Sequence, residues 1–456
     1  MRAGNSIDEI KVRNAILHGD VLTKLSILFM GLGNMARKQM IKGLMFLAVE
    51  AVFIFYMVTR GAGFIKDFIT LGTSTGEETF NEAKQIYEYT QGDNSMLCLL
   101  YGVITFFVIA AFILVWTASL KSAYKAQVIT KKKQHLPTFV EDVKSLFDNN
   151  IYKLLLALPV VCVILFTVMP LVFMSCMAFT NYDRNHQPPG QLFDWVGFAN
   201  FKELFNANSG LGTAFWHVLG WTLVWAVFAT LLNYILGIIL AMVINRKKTK
   251  AKGFWRFIFI LSIAIPQFVS LLVMRTMLQP EGAVNVLLKQ LGLIEKSLPF
   301  WTNTTWARIT IIVVNLWIGV PYTMLQTTGI LQNIPGELYE AAKIDGANKV
   351  VIFFKITLPY MLFITTPYLI TQFIGNINNF NVIYLLTKGA PAAMSYHNGT
   401  AGKTDLLVTW LYKLTIDMKD YNYGAVIGIM VFILSAVFSL AAYRKTGAYK
   451  NEEEFQ

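Results

Sequence analysis

Apolar residues in this chain gather into eight long runs, near 40–59, 97–117, 154–178, 214–243, 255–278, 309–330, 360–386 and 423–443. Each is close to the roughly 20 residues a helix needs to cross a hydrocarbon core of about 30 Å. Backbone polar groups find no water there, so runs of this length have to be helical. The pattern predicts an all-α polytopic membrane protein with about eight transmembrane helices. One polar interval stands out, Glu340–Pro359, which reads EAAKIDGANKVVIFFKITLP between two strongly apolar runs. Leu338, Ala341, Ala342 and Ala347 place small or apolar surface at helical spacing, while Glu337, Glu340 and Asp345 stay polar. Pro335 suits a first helical turn, and Gly346 can turn left-handed and end the helix. We expect a short helix near 335–348, with the next boundary at Leu358-Pro359.

Composition sharpens this picture. Of 456 residues, 55% are hydrophobic and 14% charged, which excludes an ordinary soluble domain. The net charge of +12 suggests nucleic acid until its distribution is considered. With both termini placed in the cytoplasm, 26 of the 39 Lys and Arg fall on the inner side. That two-to-one bias follows the positive-inside rule, so the basic charge is a topology signal and not a nucleic-acid footprint. Cys98, Cys162 and Cys176 sit in or beside apolar runs with no paired spacing, as buried small hydrophobes do. The leader before Met40 carries Ile10, Val12, Ile16, Leu17, Val21, Leu25 and Leu28 among Lys11, Arg13, Lys24, Arg37 and Lys38. It reads either as an amphipathic segment on the anionic inner leaflet or as a cytoplasmic helix packed on the bundle. Its length and charge argue against a cleaved signal peptide.

The runs divide unequally. The first two, joined by a short acidic outer loop (Glu77, Glu78, Glu82, Glu88, Asp93), and a basic connector with Lys131-Lys132-Lys133 form an accessory region, 1–149. The remaining six form a core, 150–446, with most of the polar intramembrane residues. Residues 447–456 form a short tail expected to be disordered.

The spacing of Glu-Ala-Ala, Asp345-Gly346-Ala347, Phe353/Phe354, Ile356 and Leu358-Pro359 resembles the EAA signature of permease subunits of binding-protein-dependent ABC importers. Further stretches are similar to the large permease subunit of maltose/maltodextrin importers. These are Asn315-Leu-Trp-Ile-Gly-Val-Pro-Tyr322, Phe373-Ile-Gly-Asn-Ile-Asn-Asn-Phe380, Leu385-Leu-Thr-Lys-Gly389 and Thr404-Asp405-Leu-Leu-Val. The resemblance covers about 150–446 and implies a six-helix permease core plus two N-terminal helices. It also implies that Glu340, Ala341, Ala342, Asp345, Gly346 and Ala347 dock on a separate ATPase, with Glu340 as the charged contact. Asn315, Gly319, Tyr322, Asn376 and Asn379 keep the family's residue types at a midplane sugar site, whereas Ile263, Gln267 and Gln372 differ in type. The implied partners are a second, smaller permease, two ATPase subunits holding ATP and Mg, and an extracellular sugar-binding protein. The implied location is the bacterial plasma membrane. The outer interval Asn181–Gly212 is short where the Gram-negative subunit carries a folded insert. That shortness is consistent with a cell lacking an outer membrane and with a lipid-anchored binding protein.

The residues themselves leave two readings open. Amides and a phenol in a span cost free energy unless paired, so they mark either a pathway or contacts between helices. Asn and Gln donate and accept, matching sugar hydroxyls, and Tyr322 and Trp317 offer flat faces to a sugar ring. Gly319 and Pro321 are expected to loosen their helix. Other sugars, such as galacto-oligosaccharides or raffinose-type sugars, stay open, as does an ion-coupled carrier using Glu50, although a locally paired Glu50 suits an accessory span better. Gly399-Thr-Ala-Gly402-Lys403-Thr404 imitates a phosphate loop, but His397 stands where a glycine is needed and no buried strand precedes it. Arg275 can snorkel from the end of its run, and the five histidines lack metal spacing. With no nucleophile–base or paired-carboxylate arrangement, the chain reads as a transport subunit and not an enzyme, without a metal or cofactor of its own.

Overall fold

A computed structural model of the protein describes residues 11–76, 78–81, 84–89, 92–246 and 248–444. The expected tail at 447–456 and the loop residues Glu77 and Glu82 lie outside the described residues. Among the described residues, seven helices are long and apolar enough to cross a membrane. They are Met40–Thr70, Ser95–Lys131, Ile151–Met177, Gly210–Asn245, Thr304–Gln332, Lys349–Leu386 and Tyr421–Tyr443. An eighth, between the fourth and fifth of these, is the pair Lys252–Ala264 and Gln267–Met277, bent by 87°. The eight runs read from the sequence therefore each coincide with a helix or helix pair, and in chain order these are the first to eighth spans below. Among the described residues, paired strands occur in a small hairpin, Glu78–Asn81 against Ile86–Tyr89, in the first outer loop, with isolated bridges at Thr180–Trp195 and Ala392–Gly402.

Two local expectations are corrected, both by proline. The fifth span is broken, not continuous. Pro266 forces Ile265 into an extended conformation (φ −80°, ψ 127°), which ends one helix and starts another. Leu358-Pro359, expected as a boundary, lies inside a helix that already begins at Lys349. A π-helical turn, Phe353–Thr357, precedes Pro359 and widens the helix where the missing N–H and the ring would otherwise crowd it. Pro321 has a milder effect, since the sixth span runs unbroken through it.

The chain forms two compact units, Met1–Val196 and Gly197–Gln456. The packing boundary thus places the third span with the first two, whereas the functional division proposed from the sequence falls at 149/150. In the second unit, Trp221, Trp225, Leu271, Ile311, Val314 and Ile383 form the main apolar core. Closest helix approach depends on small residues, as expected where lipid is as apolar as the side chains. A Cβ on Gly237 would lie 2.6 Å from Thr323, and one on Gly319 would lie 2.6 Å from Asn233. Each of the fourth and sixth spans thus offers a glycine to the other's polar side chain, one turn apart. Buried threonines satisfy themselves by donating back along their own helix, Thr327 to the Thr323 carbonyl and Thr328 to that of Met324, both at 2.8 Å.

Candidate translocation site and coupling segment

The reciprocal glycine contacts border a small polar cavity of about 50 Å³. Gly319, Tyr322 and Gln372, three of the eight candidate sugar-site residues, line it together with Thr230, Asn233 and Tyr368. Asn376 stands directly behind this wall. Its amide donates to Thr230 Oγ1 at 3.0 Å, and its carbonyl accepts from Trp225 Nε1 at 3.0 Å. Asn315 is buried in the same helix as Gly319, and its amide nitrogen has no protein partner. Asn379 is half-buried and caps the helical turn that follows it, accepting from the Val382 N–H at 3.2 Å. Ile263 and Gln267 flank the elbow of the fifth span and are exposed, away from the cavity lining.

Sequence reading missed Asn233, Thr230 and Tyr368. The signal that singled out the other amides was present for Asn233, a neutral amide inside an apolar run. Its side chain donates to the Ala229 carbonyl at 2.8 Å, while its own oxygen is buried without a protein partner. Orphaned polar atoms of this kind carry a cost of about 1–3 kcal/mol unless a water or ligand meets them. A cavity of this volume holds a few waters and not a sugar ring.

Two of the family-like stretches, which are separate in sequence, meet in one buried knot. Asp405 is fully buried, and its carboxylate bonds Lys413 Nζ at 2.6 Å, the Gly402 N–H at 2.7 Å and Thr409 Oγ1 at 2.9 Å. Burial pushes this carboxyl above its ordinary range, with the Lys413 charge and these hydrogen bonds pulling the other way. Thr387 and Thr404 hydroxyls pair at 2.9 Å beside it. Gly389 has φ +83°, and a Cβ there would stand 2.2 Å from the Asp405 carboxylate. The stretch that imitated a phosphate loop is therefore consumed in packing. Thr404 donates its N–H to the Gly389 carbonyl, and the Lys403 carbonyl accepts from Arg308 at 2.9 Å.

At the other end of the second unit, Gly336–Ile344 is a helix with Pro335 at its N-cap and Asp345 at its C-cap. Gly346 (φ +75°) reverses the chain, and the Ala347 N–H reaches back to the Ala342 carbonyl at 2.9 Å. Asn348 then caps the next helix by accepting from Val350 and Val351. Glu340, Ala341, Asp345 and Gly346 are exposed, Ala342 and Ala347 half-buried, and Ile344 is 86% exposed. Tyr339 ties this helix to the following one through Thr357 Oγ1, 3.2 Å away. The result is a short helix, tied to its neighbour through Tyr339, with an outward face of small, acidic and apolar side chains. Among the described residues no cluster of His, Cys, Asp or Glu could hold a metal ion.

Eight spans among the described residues, a polar cavity lined by three of them and a mounted loop helix define a membrane-spanning transport subunit. Comparison with known proteins places it further. The binding-protein-dependent transport system inner membrane component family matches residues 233–445. The chain is 35% identical to the maltodextrin transport system permease protein MdxF of Bacillus subtilis, over 93% of this chain and 95% of that one. It is 36% identical to the galactooligosaccharides transport system permease protein GanP of the same organism, over 95% of this chain and 99% of that one. A solved bacterial alginate ABC transporter in complex with an alginate pentasaccharide-bound periplasmic protein is similar in fold, with TM-score 0.54 and 23% identity. That match covers 67% of this chain and 98% of the solved one. The chain belongs to the family of inner-membrane permease subunits of binding-protein-dependent ABC importers.

Proposed function

We propose that this chain forms half of the translocation pathway of an ATP-driven oligosaccharide importer, with maltose and maltodextrins as the first candidates. The observation that carries this reading is the convergence of Gly319, Tyr322 and Gln372 on one polar cavity, in a chain whose relatives across nearly its full length include a maltodextrin permease. Asn376, Asn315 and Asn233 supply amide donors and acceptors behind or beside that wall. At about 50 Å³ the cavity corresponds to a closed pathway, so a sugar enters only when the fourth and sixth spans separate. Ile263 and Gln267 join the lining in that open arrangement. The helix Gly336–Ile344 and the Gly346 turn dock on a separate ATPase, Glu340 making the charged contact, and transmit its closure as a rigid body. A second, smaller permease, two ATPase chains with ATP and Mg, and an extracellular binding protein complete the assembly. Both termini lie in the cytoplasm. The short outer interval 181–212 suits a lipid-anchored binding protein.

Galacto-oligosaccharides are the second reading, favoured by the 36% identity to a permease of that specificity. The ion-coupled alternative loses its main support, because the Glu50 carboxylate is engaged by the Met30 N–H at 2.8 Å. The test is ATPase activity of the reconstituted transporter against a panel of sugar-loaded binding protein. Stimulation by maltodextrins supports the proposal, and stimulation by another sugar alone moves the specificity. Uptake that follows an ion gradient without ATP would overturn it.

A further inference from the structure

The leader is built inside out. Thr23, Ser26 and Asn34 are fully buried against the second span, while Val21 is 73% and Leu28 69% exposed. Leu17, Leu22, Leu25 and Phe29 extend the same outward apolar surface. A strap lying in water would bury the leucines and expose the threonine and serine. Apart from the buried Ala15 and Met30, the inward face is polar, and hydrogen bonds tie it to the second span. Gln127 accepts from the Asp20 N–H (2.9 Å), Trp116 Nε1 donates to the Ile27 carbonyl (3.1 Å), and Ser119 Oγ accepts from the Gly31 N–H (3.1 Å). The Asn34 amide donates to Ser122 Oγ at 2.9 Å. Glu50, well inside the first span, leans back toward that span's start and accepts the Met30 N–H. The chain at Ile27–Gly31 therefore rises beside the membrane-spanning part of the first unit instead of hanging below it.

We propose that residues 12–36 form an interfacial anchor that sits in the anionic inner leaflet, apolar side chains in the acyl boundary and basic side chains at the headgroups. Two features select lipid as the occupant of this face. Met40, Ile41, Leu44 and Met45, which begin the first span a few residues further along the chain, are exposed as well, so the lipid-facing apolar surface resumes where the leader ends. Lys11, Arg13, Lys24 and Lys38 are also exposed and complement anionic headgroups. Glu50 is the latch that fixes the depth of the anchor, giving an intramembrane carboxylate a structural task.

The placement on the inner leaflet rests on the cytoplasmic N-terminus proposed above, so the two are tested separately. In the assembled transporter, with Cys98, Cys162 and Cys176 replaced by alanine, nitroxides are attached at Val21→Cys, Leu28→Cys and Arg13→Cys. Collisions with lipid-soluble oxygen and a water-soluble nickel chelate are then compared in phosphatidylglycerol and phosphatidylcholine nanodiscs. Oxygen collisions exceeding nickel collisions at positions 21 and 28, with the reverse at 13 and a deeper setting in phosphatidylglycerol, are expected. Free nickel access at 21 and 28, equal depth in the two lipids, or shielding from both reagents would overturn the proposal, the last assigning the face to a partner subunit. Labelling of Arg13→Cys by an impermeant maleimide from outside intact cells would refute the orientation alone.

Discussion

Asp405→Ala would leave Lys413 buried without its counter-charge, a loss of about 3–5 kcal/mol in folded-state stability. Asp405→Asn keeps the acceptor for the Gly402 N–H and should cost less. Gly389→Ala should match the alanine variant at 405. Strain at φ +83° costs on the order of 1–3 kcal/mol, and the added methyl collides with the carboxylate. The melting temperature of the purified transporter, followed by fluorescence-detected size exclusion, ranks the three variants. Equal stability of Asp405→Ala and the parent would show that the knot contributes nothing. Glu50 obeys the same rule on a smaller scale. Glu50→Leu orphans the Met30 N–H, about 1–3 kcal/mol by the cost of an unmade buried hydrogen bond, whereas Glu50→Gln retains an acceptor. Residues like these were visible in the sequence as anomalies, a carboxylate in a span and an acidic residue in a family-like stretch. Their partners were not, because Met30, Lys413 and Gly389 are chosen by the fold and not by spacing.

At the scale of elements, the loop helix was the most legible part of the chain. Its alanines, its acidic residues and the closing glycine specify a short helix with an outward face without help from distant contacts. Gly346→Asp should insert into the membrane normally yet fail to stimulate the partner ATPase, since the left-handed turn at φ +75° strains other residues and the added carboxylate would project into the open space beside it, on the proposed docking face. Normal stimulated ATPase activity of that variant would rule out the coupling role. The leader makes a different prediction. Burial acts to raise the Asp20 carboxyl, but the paired Arg37 guanidinium at 2.6 Å and the Thr23 N–H outweigh it and hold it down at about 2. An unfolded aspartate titrates near 3.9, so the folded leader favours the ionised form. The resulting stabilisation is fully present above about pH 4 and disappears as pH falls through 2. Hydrogen exchange at residues 20–37 should accelerate over that window, and Asp20→Asn should already be fast at pH 5. The two proline effects were only half legible. A proline announces a disturbance, but whether it breaks the helix, as at Pro266, or is absorbed in a π-turn, as before Pro359, depends on the packing around it.

For the whole molecule, the central test is passage through the second unit. Tyr322→Ala removes a cavity-lining ring that is 45% exposed, so assembly should survive while oligosaccharide uptake in proteoliposomes falls. Unchanged uptake across all sugars that the parent transports would place the pathway elsewhere. Asn376→Ala is a poorer probe, because that amide also braces Thr230 and its backbone carbonyl receives Trp225.

By itself the sequence determined the number and order of the spans, their all-helical nature, the charge asymmetry and the loop helix. Each of these follows from run length, local periodicity or composition, which the bilayer reads one segment at a time. Only the tertiary structure decided which polar residues share a cavity, that Asn233 belongs beside Gly319, that Asp405 and Gly389 close one knot, and which face of the leader points outward. Those outcomes depend on which helices pack together. In lipid that choice is made by small-residue fit and by the pairing of buried polar groups far apart in the chain, neither of which leaves a periodic trace.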